Sequence, residues 1–179
     1  MLIGNDVIDL SLQKQMFREF KSKRLNQKIF SDKELVYIGK EDHLLSLRRW
    51  TMKEAAYKAY QRLHHLKPRF NPYLIDTIIK DEINGTVKID NQHFYLKTAI
   101  SADYIYSYIV TTNECTSLRF DSKDHLLKKM DDYFNTDNLS ICKDEYNIPS
   151  IYVNGQSKLI SITHHGDFNF AVFFTTLNC

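Results

Sequence analysis

The chain has 179 residues, of which 43% are apolar, 13% aromatic and 26% charged, a composition typical of a globular protein and unlike that of a disordered or fibrous one. The formal net charge of +2 is too small to indicate a dedicated nucleic-acid-binding protein. No apolar run approaches the ~18 residues needed to span a bilayer, and the first ten residues lack the basic start of a secretory signal. We therefore expect a cytoplasmic protein with neither a membrane nor a nucleic acid as its partner.

The first part of the chain predicts a strand, a basic segment and a capped helix. Residues 1–10 form a predicted strand that carries Asp6 and Asp9, and the two-residue period of a strand points these carboxylates to opposite faces. Residues 13–28 carry six Lys or Arg and a single acid, with apolar residues at helical spacing, which predicts a basic amphipathic segment. The sequence SDKE (31–34) has the pattern of a capping box, so a helix is expected to begin there.

The middle of the chain predicts one long helix followed by a small antiparallel sheet. Residues 42–63 contain strong helix formers and neither Gly nor Pro, and Pro68 and Pro72 come after them. The following residues are rich in Ile, Val, Tyr, Phe and Thr, and the dipeptide Asn84-Gly85 is a turn signal between two of the strands. The predicted strands are 73–80, 86–90, 93–98 and 103–112.

The last part of the chain predicts a second, shorter unit. A strand at 116–120 and an amphipathic helix at 122–134 come before a tail of strands at 148–177, in which Asn154-Gly155 is a predicted hairpin turn.

The two parts of the chain end in similar segments. Residues 101–110 and 164–173 both place an acid and an aromatic residue before an alternating strand, which indicates a duplicated α+β unit with a truncated second copy. We therefore predict an α+β fold in which antiparallel sheets pack on the long helix. The predicted lobes are 1–113 and 114–179, which together form one compact unit.

Three groups of polar residues are candidates for chemistry. Glu54 and Lys58 are four residues apart in the predicted long helix and share one face, which in most proteins means only a surface ion pair. A strand carboxylate facing a helix carboxylate is a common way to hold Mg²⁺ with water and phosphate oxygens, which makes Asp6 and Glu54 a candidate metal pair. Thr163 and His164 lie in a predicted turn, where a histidine is either simply exposed or a donor to an anion.

Together and in this order, these groups resemble the 4′-phosphopantetheinyl transferase superfamily, in particular its short holo-[acyl-carrier-protein] synthase branch. The resemblance is spread over nearly the whole chain, and its helix motif is the most specific part. It is carried by IGNDVIDL (3–10), IFSDKEL (29–35), RRWTMKEAAYKAY (48–60) and ISITHHGDFNFAVF (160–173). The fold implied is that of the superfamily, with two lobes in a pseudo-twofold arrangement.

The resemblance also implies a role for individual residues. Asp6 and Glu54 would bind Mg²⁺ together with the diphosphate of coenzyme A, and Lys58 would contact the same phosphates. His164, with Thr163 beside it, matches the family's histidine, which reaches coenzyme A across a subunit or lobe boundary. Arg49 matches a basic position just before the Lys-Glu-Ala turn.

The reaction implied is Mg²⁺-dependent transfer of the 4′-phosphopantetheine arm of coenzyme A to a serine of an apo acyl or peptidyl carrier protein, with release of adenosine 3′,5′-bisphosphate. Glu54, or a water that it orients, is the candidate base for the serine proton. Carrier proteins of this class are acidic around their serine, so the basic residues 14–28 are a candidate docking face.

Two departures from the family pattern affect the expected site. Ile8 stands where the longer branch has a second acid, so the metal shell is completed by water, or by Asp9 if the strand bulges. Residues 61–65 replace a glycine-rich turn that usually contacts the coenzyme. The length lies between those of the trimeric short members and the two-lobed long members, so we expect a monomer with the site between its own lobes.

Two other functions are compatible with these residues. The first is a catalytically degenerate module that binds a carrier protein, coenzyme A or a nucleic acid, which the basic segment would suit. The second is a metal-dependent phosphohydrolase or nuclease, although in those sites the Glu and Lys usually lie two apart on a strand. Here Glu54 and Lys58 lie four apart on a predicted helix.

Overall fold

A computed structural model of the chain describes residues 2–12, 23–38, 43–111 and 115–174. Within these ranges the strands form two five-stranded antiparallel sheets, with helices placed between strands along the chain. This mixed architecture agrees with the predicted α+β class. None of the described helices is both long enough and apolar enough to cross a membrane.

The first sheet contains the first strand of the chain at its edge. The strand order is β1-β5-β4-β3-β2, and Asp6 of β1 lies opposite Ser107 of β5. The five strands are β1 (Asn5–Asp9), β2 (Ile75–Ile79), β3 (Asn84–Ile89), β4 (Gln92–Ile100) and β5 (Tyr104–Ile109).

A 22-residue helix, α3 (His43–His64), packs on this sheet. Three alanines, Ala55, Ala56 and Ala59, are among its buried residues, and at these positions the helix backbone can lie close to a strand. The core beneath it includes Met52, Ala55 and Ala59 of the helix with Val87 and Phe94 of the sheet. Close packing of this kind fixes where the polar side chains of α3 lie relative to β1.

Two short helices, α1 (Lys23–Ile29) and α2 (Asp32–Leu35), lie before α3. The predicted cap is present at α2, because the Glu34 carboxylate accepts a hydrogen bond from the backbone N–H of Ser31 at 2.9 Å. The basic segment is described only from Lys23 onward, and its residues 13–22 lie outside the described ranges. A 3-10 turn, Pro72–Leu74, leads into β2.

The second sheet repeats the strand order of the first. Its order is β6-β10-β9-β8-β7, in which every strand stands five places later than its counterpart in the first sheet. A single helix, α4 (Lys123–Phe134), lies between β6 and β7 along the chain. The strands are β6 (Cys115–Phe120), β7 (Leu139–Lys143), β8 (Pro149–Val153), β9 (Gln156–His165) and β10 (Phe168–Phe174).

Two local features differ from the sequence prediction. The predicted turn at Asn84-Gly85 is wrong, because both residues lie at the start of β3. The turn comes earlier, since the Asp81 carboxylate accepts hydrogen bonds from the backbone N–H groups of Ile83 at 2.8 Å and Asn84 at 2.7 Å. The strand β7 was not predicted at all. By contrast, Asn154 and Gly155 form the predicted hairpin turn with φ of 51° and 78°.

The two sheets meet along β1, which pairs with β5 and also contacts β9 and β10. An aromatic cluster fills this junction, with the rings of Tyr106 and Phe170 stacked at 4.2 Å between centroids and Val7 buried beside them. The junction therefore brings β1, α3 and β9 to one place in the molecule.

Candidate active site

A cavity of about 530 Å³ lies where α3, β1 and β9 come together. Its size is within the range of ordinary ligand pockets, ~300–1,000 Å³. Five of the residues singled out in the sequence line it: Asp6, Glu54, Lys58, Thr163 and His164. The first three belong to the first sheet and its helix, and the last two belong to the second sheet. The prediction that Thr163 and His164 lie in a turn is wrong, because both are paired residues of β9 and the turn follows at Gly166 and Asp167.

Asp6 is the centre of the polar contacts in this cavity. Its Oδ1 accepts a hydrogen bond from Lys58 Nζ at 3.0 Å and another from Thr163 Oγ1 at 3.0 Å. Lys58 Nζ also donates to the backbone carbonyl of Asn5 at 2.9 Å. A helix residue and a residue of the second sheet are therefore joined directly to one strand carboxylate.

Gly4 explains how β1 comes this close to α3. A Cβ at this position would overlap the backbone carbonyl oxygen of Ala55 and lie 3.0 Å from the backbone nitrogen of Ala59. The absence of a side chain at Gly4 therefore lets the strand approach the helix backbone two residues before Asp6.

Glu54 lies in the same cavity without a hydrogen bond or ion pair to any other described residue. Burial and, to a smaller extent, the neighbouring Asp6 carboxylate raise its pKa from 4.5 to about 7, while the Lys58 ammonium acts in the opposite direction. The Asp6 and Glu54 carboxylates are thus close enough to influence each other, and the Lys58 ammonium acts on both of them.

This pair of carboxylates fits a magnesium ion. Mg²⁺ usually keeps several waters and binds one or two protein carboxylates together with phosphate oxygens. No group of three or more His, Cys, Asp or Glu side chains arranged to hold a metal occurs among the described residues. An ion held by Asp6 and Glu54 would therefore complete its shell with water and ligand oxygens.

Asp9 does not take part in this pair. Its strand pairs regularly with β5 from Asn5 to Asp9, so the bulge that would bring Asp9 to the cavity is not present. The side chain is buried, and its Oδ1 accepts from the backbone N–H of Ser11 at 2.8 Å and from Ser11 Oγ at 2.6 Å. The bulge on which a metal-binding role of Asp9 depended is therefore absent, which leaves water as the other predicted ligand.

The two lysines of the Lys-Glu-Ala segment have different surroundings. Lys58 is partly exposed in the cavity, whereas the Lys53 side chain is fully buried. Lys53 Nζ lies 2.5 Å from a Glu34 oxygen and 2.8 Å from the carbonyl oxygens of Ile29 and Pro72. It therefore fastens α1 and α2 to the long helix and does not face the cavity.

Arg49 is not among the residues that line the cavity. The residue is buried, and its guanidinium donates to two atoms of Thr77, the carbonyl oxygen at 3.1 Å and Oγ1 at 2.9 Å. Five helical positions separate Arg49 from Glu54, a rotation of about 140°, so the two side chains leave different faces of α3. The structure does not bring Arg49 together with the other predicted residues.

Further polar residues line the cavity that sequence analysis did not select, and Arg62 is the most buried of the charged ones. It donates to the carbonyl oxygens of Pro149 at 3.0 Å and Ile160 at 2.6 Å, and burial lowers its pKa to about 10 although Asp144 opposes the shift. Its four-residue spacing from Lys58 was a usable signal. Lys143 and Asn147 also line the cavity, and nothing in the sequence marked them because β7 was not predicted.

The cavity therefore holds residue types that phosphate-handling transferases use: a pair of carboxylates, a lysine and a histidine near the end of β9. A model of the 4′-phosphopantetheinyl transferase superfamily matches residues 2–116, more than half of the 179 residues, and the chain belongs to this superfamily. Its members are transferases of the phosphopantetheinyl type, and the resemblance seen in the sequence is confirmed. No curated protein and no solved structure matches the chain. The matched range includes Asp6, Glu54 and Lys58, whereas Thr163 and His164 lie beyond it.

Proposed function

We propose that the protein is a holo-[acyl-carrier-protein] synthase type of 4′-phosphopantetheinyl transferase, which moves the arm of coenzyme A to a serine of an apo acyl or peptidyl carrier protein. The observation that carries this proposal is the convergence in one cavity of Asp6, Glu54 and Lys58 with Thr163 and His164. Three of these residues lie in the part of the chain that the superfamily model matches.

In the proposed reaction the serine oxygen forms a bond to the phosphorus that carries the pantetheine arm. The bond from this phosphorus to the bridging oxygen breaks, and adenosine 3′,5′-bisphosphate leaves. Asp6 and Glu54 would hold Mg²⁺, which when bound supplies charge neutralisation at the diphosphate. Lys58 would offset the negative charge that develops on the leaving phosphate.

Glu54 is the proposed proton acceptor, directly or through a water that it orients. The pKa of about 7 belongs to the metal-free carboxylate, and a bound Mg²⁺ would lower it, so in the loaded site the proton would pass to a water that Glu54 orients. Its lack of a hydrogen bond to any other described residue leaves its oxygens for a ligand, water or proton. His164 is exposed on the opposite wall and is the proposed contact to coenzyme A.

The two sheets are proposed to form two pseudo-twofold lobes, residues 1–113 and 114–179. The repeated strand order supports this division, as does the position of the connection between Ile109 at the end of β5 and Cys115 at the start of β6. One chain then supplies both walls of the cavity, so a monomer is proposed, acting in the cytoplasm. An acidic carrier protein is proposed to dock on the basic residues 14–28, of which α1 is the described part.

The test is a transfer assay with an intact-mass readout. The purified protein is incubated with coenzyme A, Mg²⁺ and a panel of apo carrier proteins, and a transferred arm adds about 340 Da to the carrier. Omission of coenzyme A, addition of EDTA and the variant Glu54→Gln should each abolish the added mass. Glu82→Gln is the matched control, because Glu82 is exposed on a loop away from the cavity.

Other outcomes would identify the alternative functions. Binding of coenzyme A without modification of any carrier would indicate a degenerate binding module. Hydrolysis of coenzyme A or of a nucleic acid in the absence of a carrier would indicate a phosphohydrolase or nuclease. Either result would contradict the proposed transfer reaction.

A further inference from the structure

The last two residues of β9 are adjacent histidines, His164 and His165, and the proposed function uses only the first. The second, His165, is half-buried and lines the same cavity. Its Nδ1 accepts a hydrogen bond from the backbone N–H of Asp9 at 3.0 Å. Asp9 and Asp6 both belong to β1, so this hydrogen bond joins the end of β9 to the strand that carries Asp6.

This hydrogen bond fixes the tautomer of the His165 ring. A neutral imidazole has one protonated nitrogen and one bare nitrogen, and only the bare nitrogen accepts a hydrogen bond. Because Nδ1 accepts the Asp9 N–H, the ring proton lies on Nε2. His165 is therefore held as an Nε2–H donor at the wall of the cavity.

The turn is fastened to Asp9 at more than one point. Asp9 Oδ2 accepts from the backbone N–H of Asp167 at 3.2 Å, on the far side of the turn from His165. Gly166, between them, has a φ of 56°, and a Cβ there would overlap Asp9 Oδ2. Asp9 is thus a positioning residue that sets where the His165 ring lies.

The wall that β9 contributes to the cavity is rich in hydrogen-bond donors. Its polar side chains are hydroxyls and imidazoles, and no carboxylate is among them: Ser161, Thr163, His164 and His165. The cations Lys58, Arg62 and Lys143 line the same space, in which Asp6 and Glu54 are the acids. Lys58 already contacts Asp6, and Arg62 already donates to two carbonyl oxygens, so Lys143 and the β9 side chains are the donors that remain for a ligand. Donors and cations facing one cavity favour an anionic oxygen, and phosphate is the anionic group that best matches several donors at once.

We propose that His165 donates its Nε2–H to a phosphate oxygen of the ligand, as a second histidine contact beside His164. This inference rests on the proposed function for the identity of the ligand as coenzyme A. Its physical basis does not depend on which ligand binds. The basis is that Asp9 sets the tautomer of the His165 ring, and that this ring lines a cavity wall rich in hydrogen-bond donors.

Two substitutions test the roles of Nδ1 and Nε2 of His165 separately. His165→Asn places an amide oxygen near the position of Nδ1, so the acceptor for the Asp9 N–H is kept and the Nε2 donor is lost. His165→Gln extends an amide donor toward the position of Nε2 and loses the Nδ1 acceptor. His93→Asn is the matched control, because His93 is exposed on β4 and does not line the cavity.

Dissociation constants for coenzyme A and for inorganic pyrophosphate are measured by calorimetry on the full chain with Mg²⁺, alongside thermal unfolding. His165→Asn should weaken binding about tenfold or more, the effect of one hydrogen bond to a charged group, with little change in Tm. His165→Gln should lower Tm and bind within about threefold of the wild type. Weakening by His165→Gln without weakening by His165→Asn, or no weakening by either, would overturn the proposal.

A spectroscopic measurement keeps the test valid if a variant fails to fold. Long-range ¹H–¹⁵N spectra of the folded wild type should show the Nε2–H tautomer of His165 and a shift of its resonances on addition of pyrophosphate. The Nδ1–H tautomer, or resonances that do not move, would overturn the proposal. A wild type that binds pyrophosphate but not coenzyme A, with His165→Asn weakened, would remove the proposed function and keep this contact.

Discussion

Glu54 lies in a partly desolvated cavity between a second carboxylate and a lysine. Its pKa of about 7 in the folded protein, against 4.5 as the usual value, means that the folded state binds more protons than the unfolded state between these two pH values. The free energy of unfolding of the metal-free protein therefore falls as pH rises through this window. The stabilisation is fully present below about pH 4.5 and is lost by pH values above about 7.

The substitution Glu54→Gln should remove this pH dependence. A shift of about 2.5 pKa units corresponds to roughly 3 kcal/mol, so the stability of the variant relative to the wild type should be higher at pH 8 than at about pH 4 by up to that amount. Urea denaturation in EDTA at several pH values measures the difference, with Glu82→Gln as the control. Parallel stability curves for wild type and Glu54→Gln would contradict this account of the Glu54 pKa.

The same residue should also determine the response to magnesium. Added Mg²⁺ should raise the Tm of the wild type at pH 7.5, because it binds the folded state and neutralises the carboxylate pair. Glu54→Gln should lose this rise together with carrier modification, which should fall about 100-fold or more. Differential scanning calorimetry with and without Mg²⁺ makes the comparison. An equal rise in both proteins would place the ion elsewhere.

For single residues, the sequence identified cavity-lining side chains where a motif specifies the residue type. It was less informative about which side chains of the long helix point into the cavity, because packing decides that. Asp6, Glu54 and Lys58 line one cavity, and their grouping could be predicted from the helical spacing of Glu54 and Lys58 and from the glycine that precedes Asp6. Arg49 lies only one position before Trp50 of the cavity wall, yet its guanidinium is bound to Thr77. Adjacent positions on a helix leave different faces, and a linear motif does not record which face is buried.

At the scale of elements, the contact between β1 and α3 depends on small residues on both sides. Gly4→Ala should destabilise the protein by about 1–3 kcal/mol, because the added methyl group meets the rigid backbone of Ala55. The comparison variant is Gly85→Ala, whose methyl group meets mainly the flexible end of Met52. Denaturant unfolding of both should show the larger loss for Gly4→Ala. A larger loss at Gly85 would contradict the importance of this close approach.

The elements that could be predicted from the sequence are those with a strong local cause. Residues 42–63 were predicted helical from helix formers without Gly or Pro, and α3 spans His43–His64. Strand β7 is short, lies at the edge of its sheet and has mostly exposed or half-buried residues, so its sequence LSICK carries little apolar alternation. The turn before β3 was misplaced because the Asp81 carboxylate, and not the Asn-Gly dipeptide, caps it.

At the scale of the whole molecule, Arg62 connects the long helix to the second sheet. Arg62→Met should destabilise the protein by about 2 kcal/mol or more, because the carbonyl groups of Pro149 and Ile160 lose their donor. Hydrogen exchange should accelerate at 146–162 and change little at 84–109. Arg69→Met, an exposed arginine in the following loop, is the control. Uniform acceleration over both sheets would contradict a local connection.

The proposed monomer follows from the same arrangement. Both walls of the cavity come from one chain, and this is the reason for which a monomer is proposed. Light scattering during gel filtration should give the mass of a single chain, with and without coenzyme A. A trimer that persists on dilution and loses activity when dissociated would contradict this prediction. A duplicated unit could be predicted from the similar segments 101–110 and 164–173. The cavity between the two sheets could not, because it depends on packing between residues that are far apart in the sequence.

The position of β1 also has a consequence for the synthesis of the protein. This strand leaves the ribosome before the other described strands, yet its partners β9 and β10 are the last described strands to be made. The hydrogen bond from Thr163 to Asp6 joins residues 157 positions apart, a separation that slows folding because a long loop must close before the contact forms. During translation Asp6, Glu54 and Lys58 are present long before Thr163 and His164. The nascent chain therefore lacks the β9 side of the cavity until the β9–β10 hairpin has emerged.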